Sequence, residues 1–130
     1  MIQLDTHAVL WRELEPHKLS APAHFAIESA ARAGDAIAVS SMTLWEIALL
    51  ASRIKIQLLV PAPVFLKQIE DNYQVLSVTG TIATAATAFP APFPKDPMDR
   101  LIAATALTLD LTLITADRSI HASQACKLLW

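Results

Sequence analysis

Short apolar runs alternate with longer amphipathic ones along the chain, with no internal repeat and no low-complexity segment. MIQLD (1–5), AIAVS (36–40), QVLSV (74–78) and TLIT (112–115) read as strands, and KLLW as a last short strand. SAPAHFAIESAARAG predicts a helix with Ser20 as N-cap and Gly34 just past its end. SMTLWEIALLASR predicts another, opened by Ser or Thr, and PVFLKQIEDN a third that starts from Pro63. TIATAATAF is a weaker helix that ends before the proline-rich loop PAPFP. In KDPMDRLIAATALTLDLTLITADRS, Asp96 caps a helix with Pro97 at its first position, running to about Leu109. No charge lies between Arg100 and Asp110, so this helix is expected to be buried on most faces. The alternation implies an α/β fold whose central, mostly parallel, twisted sheet has right-handed crossovers and flanking helices. In such sheets ligands sit beyond the carboxyl ends of the strands.

Composition narrows this picture. The 130 residues read as a single domain, 1–130, large enough to fold without covalent staples. One cysteine, Cys126, excludes an internal disulfide and the usual cysteine zinc sites, and reads as a small core residue. A reducing cytoplasm is the expected setting. MIQLDTH is no basic leader, and no uncharged apolar run is long enough for a membrane span, so no membrane association is expected. An apolar fraction of 54% exceeds what a domain of this size readily hides, which points to an interface with another chain. Trp11, Leu44, Trp45 and Leu49 are candidate anchors, with a core position the other reading for Trp45. The formal charge of −2 is not that of a basic nucleic-acid binder, although a local basic rim is compatible with it.

The acids carry the chemistry. Asp5 falls where the first strand ends and Asp117 two residues past TLIT, at the same edge of the sheet. Each also suits a helix cap, Asp5 for THAVLW and Asp117 for RSIHA. Asp96 reads chiefly as a cap, whereas Asp99, one turn into an apolar helix, is expected to emerge at the strand-end edge. Glu46 is the only charge from Ala36 to Ser52 and has no Lys or Arg within a turn. It is either the far end of a capping box begun by Thr43 or a carboxylate with a distant partner. If Asp5, Glu46, Asp99 and Asp117 converge, they repel one another unless a cation is present. Hard oxygen donors without clustered Cys or His select Mg²⁺ or Mn²⁺.

The strings LDTHAVLW, SMTLWEIALL, DPMDRLIAATAL and LTLITADRS, in this order and spacing, resemble the PIN-domain ribonucleases, and most closely the VapC toxins of toxin–antitoxin pairs. The resemblance runs through nearly the whole chain and implies a PIN-like three-layer fold. It also implies metal-dependent hydrolysis of RNA, a cognate VapB-like antitoxin and a homodimer. The family's acidic quartet falls on Asp5, Glu46, Asp99 and Asp117. Asp5, Asp99 and Asp117 would hold the ion, while Glu46 would orient or deprotonate a water or help hold a second ion. Thr115 is implied as polar support, with Asp96 and Arg100 belonging to the D-P-x-D-R string of a subgroup. Arg100 could meet a phosphate or neutralise the acids, the second being favoured, and His7 reads as a structural residue more than a base. One departure is visible: members often have a glycine in the turn after the Glu46 helix, where this chain reads SRIKIQLLVP, a connection expected beside the substrate path.

Three other readings compete. A stand-alone PIN ribonuclease of RNA processing would have no antitoxin. A phosphoacceptor receiver domain would want adjacent acids after the first strand, an acceptor Asp on a middle strand and a late Lys; the chain has LDTH, no middle Asp, and Thr-Ala-Asp. An inactive PIN fold kept for binding would have no reason to retain four mutually repelling carboxylates.

Overall fold

The computed structural model describes residues 1–130. In chain order they form β1 (Ile2–Leu4), α1 (Thr6–Leu14), a 3₁₀ turn at Pro16–Lys18, α2 (Ala21–Ala33), β2 (Ile37–Ser40) and α3 (Ser41–Ser52). Then come α4 (Ala62–Asn72), β3 (Gln74–Leu76), α5 (Gly80–Ala88), α6 (Pro97–Thr108), β4 (Thr112–Ile114), α7 (Arg118–Ser123) and β5 (Lys127–Leu129). The five strands make one sheet in the order β3-β2-β1-β4-β5, and every pairing is parallel. No helix is long and apolar enough to cross a membrane.

That order decides where a site can form. The chain steps outward from β1 through β2 to β3, then returns to the other side of β1 for β4 and β5. The direction therefore reverses between β1 and β4, and the connections leaving these two strands diverge to open a crevice at their carboxyl ends. Leu4 is registered with Ile114, and the Asp5 N–H donates to the Ile114 carbonyl at 3.1 Å, closing the floor of that crevice.

Period-two alternation along the strands separates two cores. Leu4, Ile37, Val39 and Ile114 pack with residues of α1, α2, α3 and α4, including Val9, Ile27, Ile47 and Phe65. Leu113 packs instead with α5, α6 and α7, through Ile82, Ile102 and Ile120. The result is three layers, helix–sheet–helix. Ile102 to Ala106 of α6 are all buried, but the uncharged run is not buried to its end, since Leu107 and Leu109 are each 45% exposed. An amide enters this interior: Gln3 on the central strand is buried, and its Nε2 donates to the Ile102 carbonyl at 2.9 Å. Thr6 and Thr43, both buried, join the starts of α1 and α3 through their hydroxyls at 3.3 Å.

The strands are shorter than the apolar runs. MIQLD yields only Ile2–Leu4 because Asp5 turns to cap α1, and QVLSV stops at Leu76. Ser20 caps α2, whose end is closed by Gly34 at φ 74°. Of the two readings of Glu46, the capping box from Thr43 is not formed: α3 is capped one turn earlier by Ser40, whose Oγ accepts from the Met42 N–H, and Thr43 is buried instead. Trp45 is 56% exposed, so its core reading fails. Where relatives of the resembled family often carry glycine, Ile54 takes the left-handed conformation at φ 54°, with its side chain 90% exposed.

Candidate active site

Three of the acids are set by the same local device. Asp5 Oδ1 accepts from the Ala8 N–H at 2.8 Å and caps α1. Asp96 Oδ1 accepts from the N–H groups of Met98 and Asp99 at 2.8 and 3.3 Å and caps α6. Asp117 Oδ1 accepts from those of Ser119 and Ile120 at 2.8 and 3.1 Å and caps α7. Capping and ligand binding are compatible, because a carboxylate has two oxygens. In Asp117 one oxygen takes both capping bonds and leaves the other for a ligand. The caps also fix each carboxylate to a helix start, where the dipole favours negative charge.

Asp5, Glu46, Asp96, Asp99 and Asp117 line one cavity of about 450 Å³ together with His7, Trp11 and Ala116. The topology explains why. Asp5 follows β1 and Asp117 follows β4, the neighbours at the reversal; Glu46 rides on α3, which leaves β2 on the other side of β1. Asp99 lies in the first turn of α6. Burial, reinforced by the charges of Asp96, Asp117, Glu46 and Asp5, pushes the Asp99 carboxyl up to about 7. The Asp5 carboxyl is also raised by burial, against the opposing effects of the Thr115 hydroxyl, the Ala8 N–H and His7. These acids are thus held against their own repulsion by the fold around them.

Thr115 is the hub beneath them. It is fully buried, its N–H donates to the Leu129 carbonyl at 3.1 Å, and its hydroxyl, bonded to Asp5, accepts from the Asp117 N–H at 3.1 Å. His121 Nε2 donates to the Thr115 carbonyl at 2.7 Å, so α7 is tied back to the end of β4. His7 is exposed at the cavity wall, with its ring tilted on Trp11 at 5.8 Å.

Arg100 is placed otherwise than the sequence led us to expect. Its Nε donates to the Pro94 carbonyl at 2.9 Å, and Nη1 to the carbonyls of Ala86 and Phe89 at 3.2 and 3.1 Å. The guanidinium also lies 5.6 Å from the Phe93 ring centroid. It is no wall of the acidic cavity and neutralises no carboxylate there. A planar fork fits several converging carbonyls, and the end of α5 plus the proline-rich loop supply them. Trp11 and His121 were missed as site residues. Trp11 had a legible signal, because it stands one helical turn after His7 on the helix that Asp5 caps. His121 had none.

The donors around the cavity are all hard oxygens apart from the His7 ring, with no thiol, which fits Mg²⁺ or Mn²⁺ better than zinc. No three of the chain's His, Cys, Asp and Glu side chains stand close enough to form a ready cage for an ion. A small hard cation such as Mg²⁺ keeps several waters and is usually held through one or two carboxylates, so it does not require such a cage.

A family model for the PIN domain matches residues 2–124. This chain belongs to the PIN-domain family. Among PIN-domain relatives it is 38% identical over 120 residues to Ribonuclease VapC22 of Mycobacterium tuberculosis, covering 92% of this chain and 89% of that one. The same fold is found in solved structures of low sequence identity. The match to VapBC2 from Rickettsia felis, bound to a fragment of promoter DNA, has a TM-score of 0.75 at 18% identity, over 100% of this chain and 99% of that one. For FitAcB from Neisseria gonorrhoeae the TM-score is 0.72 at 18% identity, over 100% and 97%. The PIN fold and its three-layer sheet are therefore as the four sequence strings implied.

Proposed function

We propose that this PIN domain is a metal-dependent endoribonuclease, the toxin of a toxin–antitoxin pair, held inactive by a VapB-like antitoxin. The observation that carries this reading is the convergence of Asp5, Glu46, Asp99 and Asp117 on one cavity at the sheet reversal. The 38% identity to a VapC ribonuclease supports the substrate, and the likeness to toxin–antitoxin complexes supports the partner. Asp5, Asp99 and Asp117 would hold a divalent cation, Mg²⁺ or Mn²⁺, which when bound supplies charge for the phosphoryl oxygens and acidifies a water. The residues themselves do the rest. Thr115 holds Asp5 through its hydroxyl, and the helix caps keep Asp5 and Asp117 from collapsing onto a ligand. Glu46, which lines the cavity and has no ion-pair partner, would take the proton from the attacking water. The exposed Trp45 and Phe25 support a chain-to-chain interface, and the lone Cys126 supports work in a reducing cytoplasm.

The test is cleavage of a labelled single-stranded RNA by the purified protein in Mg²⁺ or Mn²⁺, with and without chelator. Asp5→Asn, Glu46→Gln, Asp99→Asn and Asp117→Asn should each abolish cleavage, as should excess EDTA. Cleavage that persists in EDTA would overturn the metal mechanism. Undiminished cleavage in the presence of the neighbouring gene's product would leave a stand-alone ribonuclease.

A further inference from the structure

Next to the acidic cavity lies a larger one of about 720 Å³, whose walls include Leu10, Leu14, Lys18, Lys55 and Leu59. His7 and Trp11 line both, so the two are consecutive stretches of one path along α1. The charge changes sign along it. One end is ringed by five carboxylates, whereas the other presents two lysines and a single acid, Glu15. Lys18 is paired with Glu15 at 2.8 Å, and Lys55 makes no ion pair within the chain. Where the two stretches meet stand rings: Trp11 is tilted against both His7 and Trp130, at centroid distances of 5.8 and 5.4 Å. Trp11 is half-buried, so its ring is braced while part of it stays open to the path.

We propose that this second stretch binds the nucleotide next to the scissile phosphate, its base stacked on Trp11 beside His7 and its outer phosphate held by Lys55. The proposal rests on the ribonuclease reading of the carboxylate cavity and extends it to the flanking strand. Carboxylates repel an RNA strand everywhere except at a bound cation, so the adjoining phosphates need positive charge nearby, and the chain's net charge of −2 supplies none in general. Lys55 is that charge. An aromatic face between two phosphate positions is how proteins hold a single strand, since every base has a π-face. A base inside a duplex is stacked on both sides and cannot reach such a ring, so the groove selects unpaired RNA.

Binding and cleavage of a labelled single-stranded oligoribonucleotide are compared with those of the same RNA made abasic on either side of the scissile phosphate. Binding is read by fluorescence anisotropy in Ca²⁺, cleavage in Mn²⁺. Removing the stacked base on one side should weaken wild-type binding by about tenfold or more. Trp11→Leu should cost about as much on intact RNA and add nothing on the abasic one, while Trp11→Phe keeps most of the affinity. Lys55→Gln, at an exposed position where folding is not at stake, should flatten the dependence of log affinity on log salt by about 0.7, one phosphate contact. Independent, multiplying losses from Trp11→Leu and the abasic RNA, or a salt slope unchanged in Lys55→Gln, would overturn the proposal and give the groove to a polypeptide. Wild type that binds RNA in this manner but never cleaves it would instead sink the ribonuclease reading and leave the subsite standing.

Discussion

Replacing Arg100 separates a charge role from a structural one. Arg100→Lys keeps the positive charge but exchanges a rigid fork for a single flexible ammonium. If Arg100 acted by neutralising the acids, lysine would serve nearly as well. The geometry says otherwise, because the guanidinium joins three backbone carbonyls, those of Ala86, Phe89 and Pro94, and lies on Phe93. A hydrogen bond from a charged donor is worth about 1.5–3 kcal/mol, and three from one side chain are not additive. Arg100→Ala should therefore cost about 3–4 kcal/mol, part of it from carbonyls left without a partner near the core under α5. Arg100→Lys can satisfy one or two of them and should cost about 1.5–2 kcal/mol. For a domain of this length those losses correspond to about 10 °C and 5 °C in Tm. The assay is thermal and urea unfolding of the three proteins in EDTA, followed by titration with Mn²⁺. The Mn²⁺-dependent rise in Tm should be nearly equal in wild type and the lysine variant, since Arg100 does not line the acidic cavity. A lysine variant as stable as wild type, with Arg100→Ala altering the ion's effect on Tm most of all, would refute this and return Arg100 to the acids.

Two further outcomes follow from the same structure. The Asp99 carboxyl is raised from 3.8 to about 7, so its charge destabilises the metal-free fold. The raised value makes stability fall as pH climbs from about 4 to about 7 and then level off. Three units correspond to at most about 4 kcal/mol, and the group's partial exposure reduces that to about 1–2 kcal/mol. Asp99→Asn should thus be more stable than wild type in EDTA at pH 8, with the gap closing by pH 4.5; urea titrations that show a pH-independent gap, or a less stable variant at pH 8, refute it. Ile54 holds φ 54° with its side chain 90% exposed, so Ile54→Gly should relieve about 1 kcal/mol of backbone strain at little loss of burial. A raised urea midpoint with unchanged slope checks this, and a lowered midpoint would mean that the exposed isoleucine makes a contact in solution.

Much of the fold was legible because its signals are local. Ser20, Asp96 and Gly34 mark helix ends through bonds to backbone groups two to four residues away, and such bonds form wherever the sequence permits. Asp5 and Asp117 were legible as site candidates for the same reason, since each stands where an apolar strand gives way to a helix. The alternation of strands and helices indicated the class of the fold, and the uncharged run after Arg100 marked a helix with a five-residue buried stretch, Ile102 to Ala106.

Other features depended on which elements become neighbours, and the sequence carries no record of that by itself. Nothing local places β4 beside β1 and not beside β3, yet this pairing puts Asp117 next to Asp5 and brings Thr115 beneath both. Arg100 had charged residues on its own helix and was read against them, but its carbonyl partners come from α5 and the loop that follows. Thr43 looked like a cap for Glu46 until Ser40, at the end of β2, took the position, which freed Thr43 to meet Thr6 of α1. The path through Trp11 to Lys55 joins two segments some forty residues apart. Hydrophobic periodicity and capping are short-range, decided by backbone bonds within a turn. Strand order and the convergence of charges are decided by burial, which sums over the whole chain and appears only when the layers close.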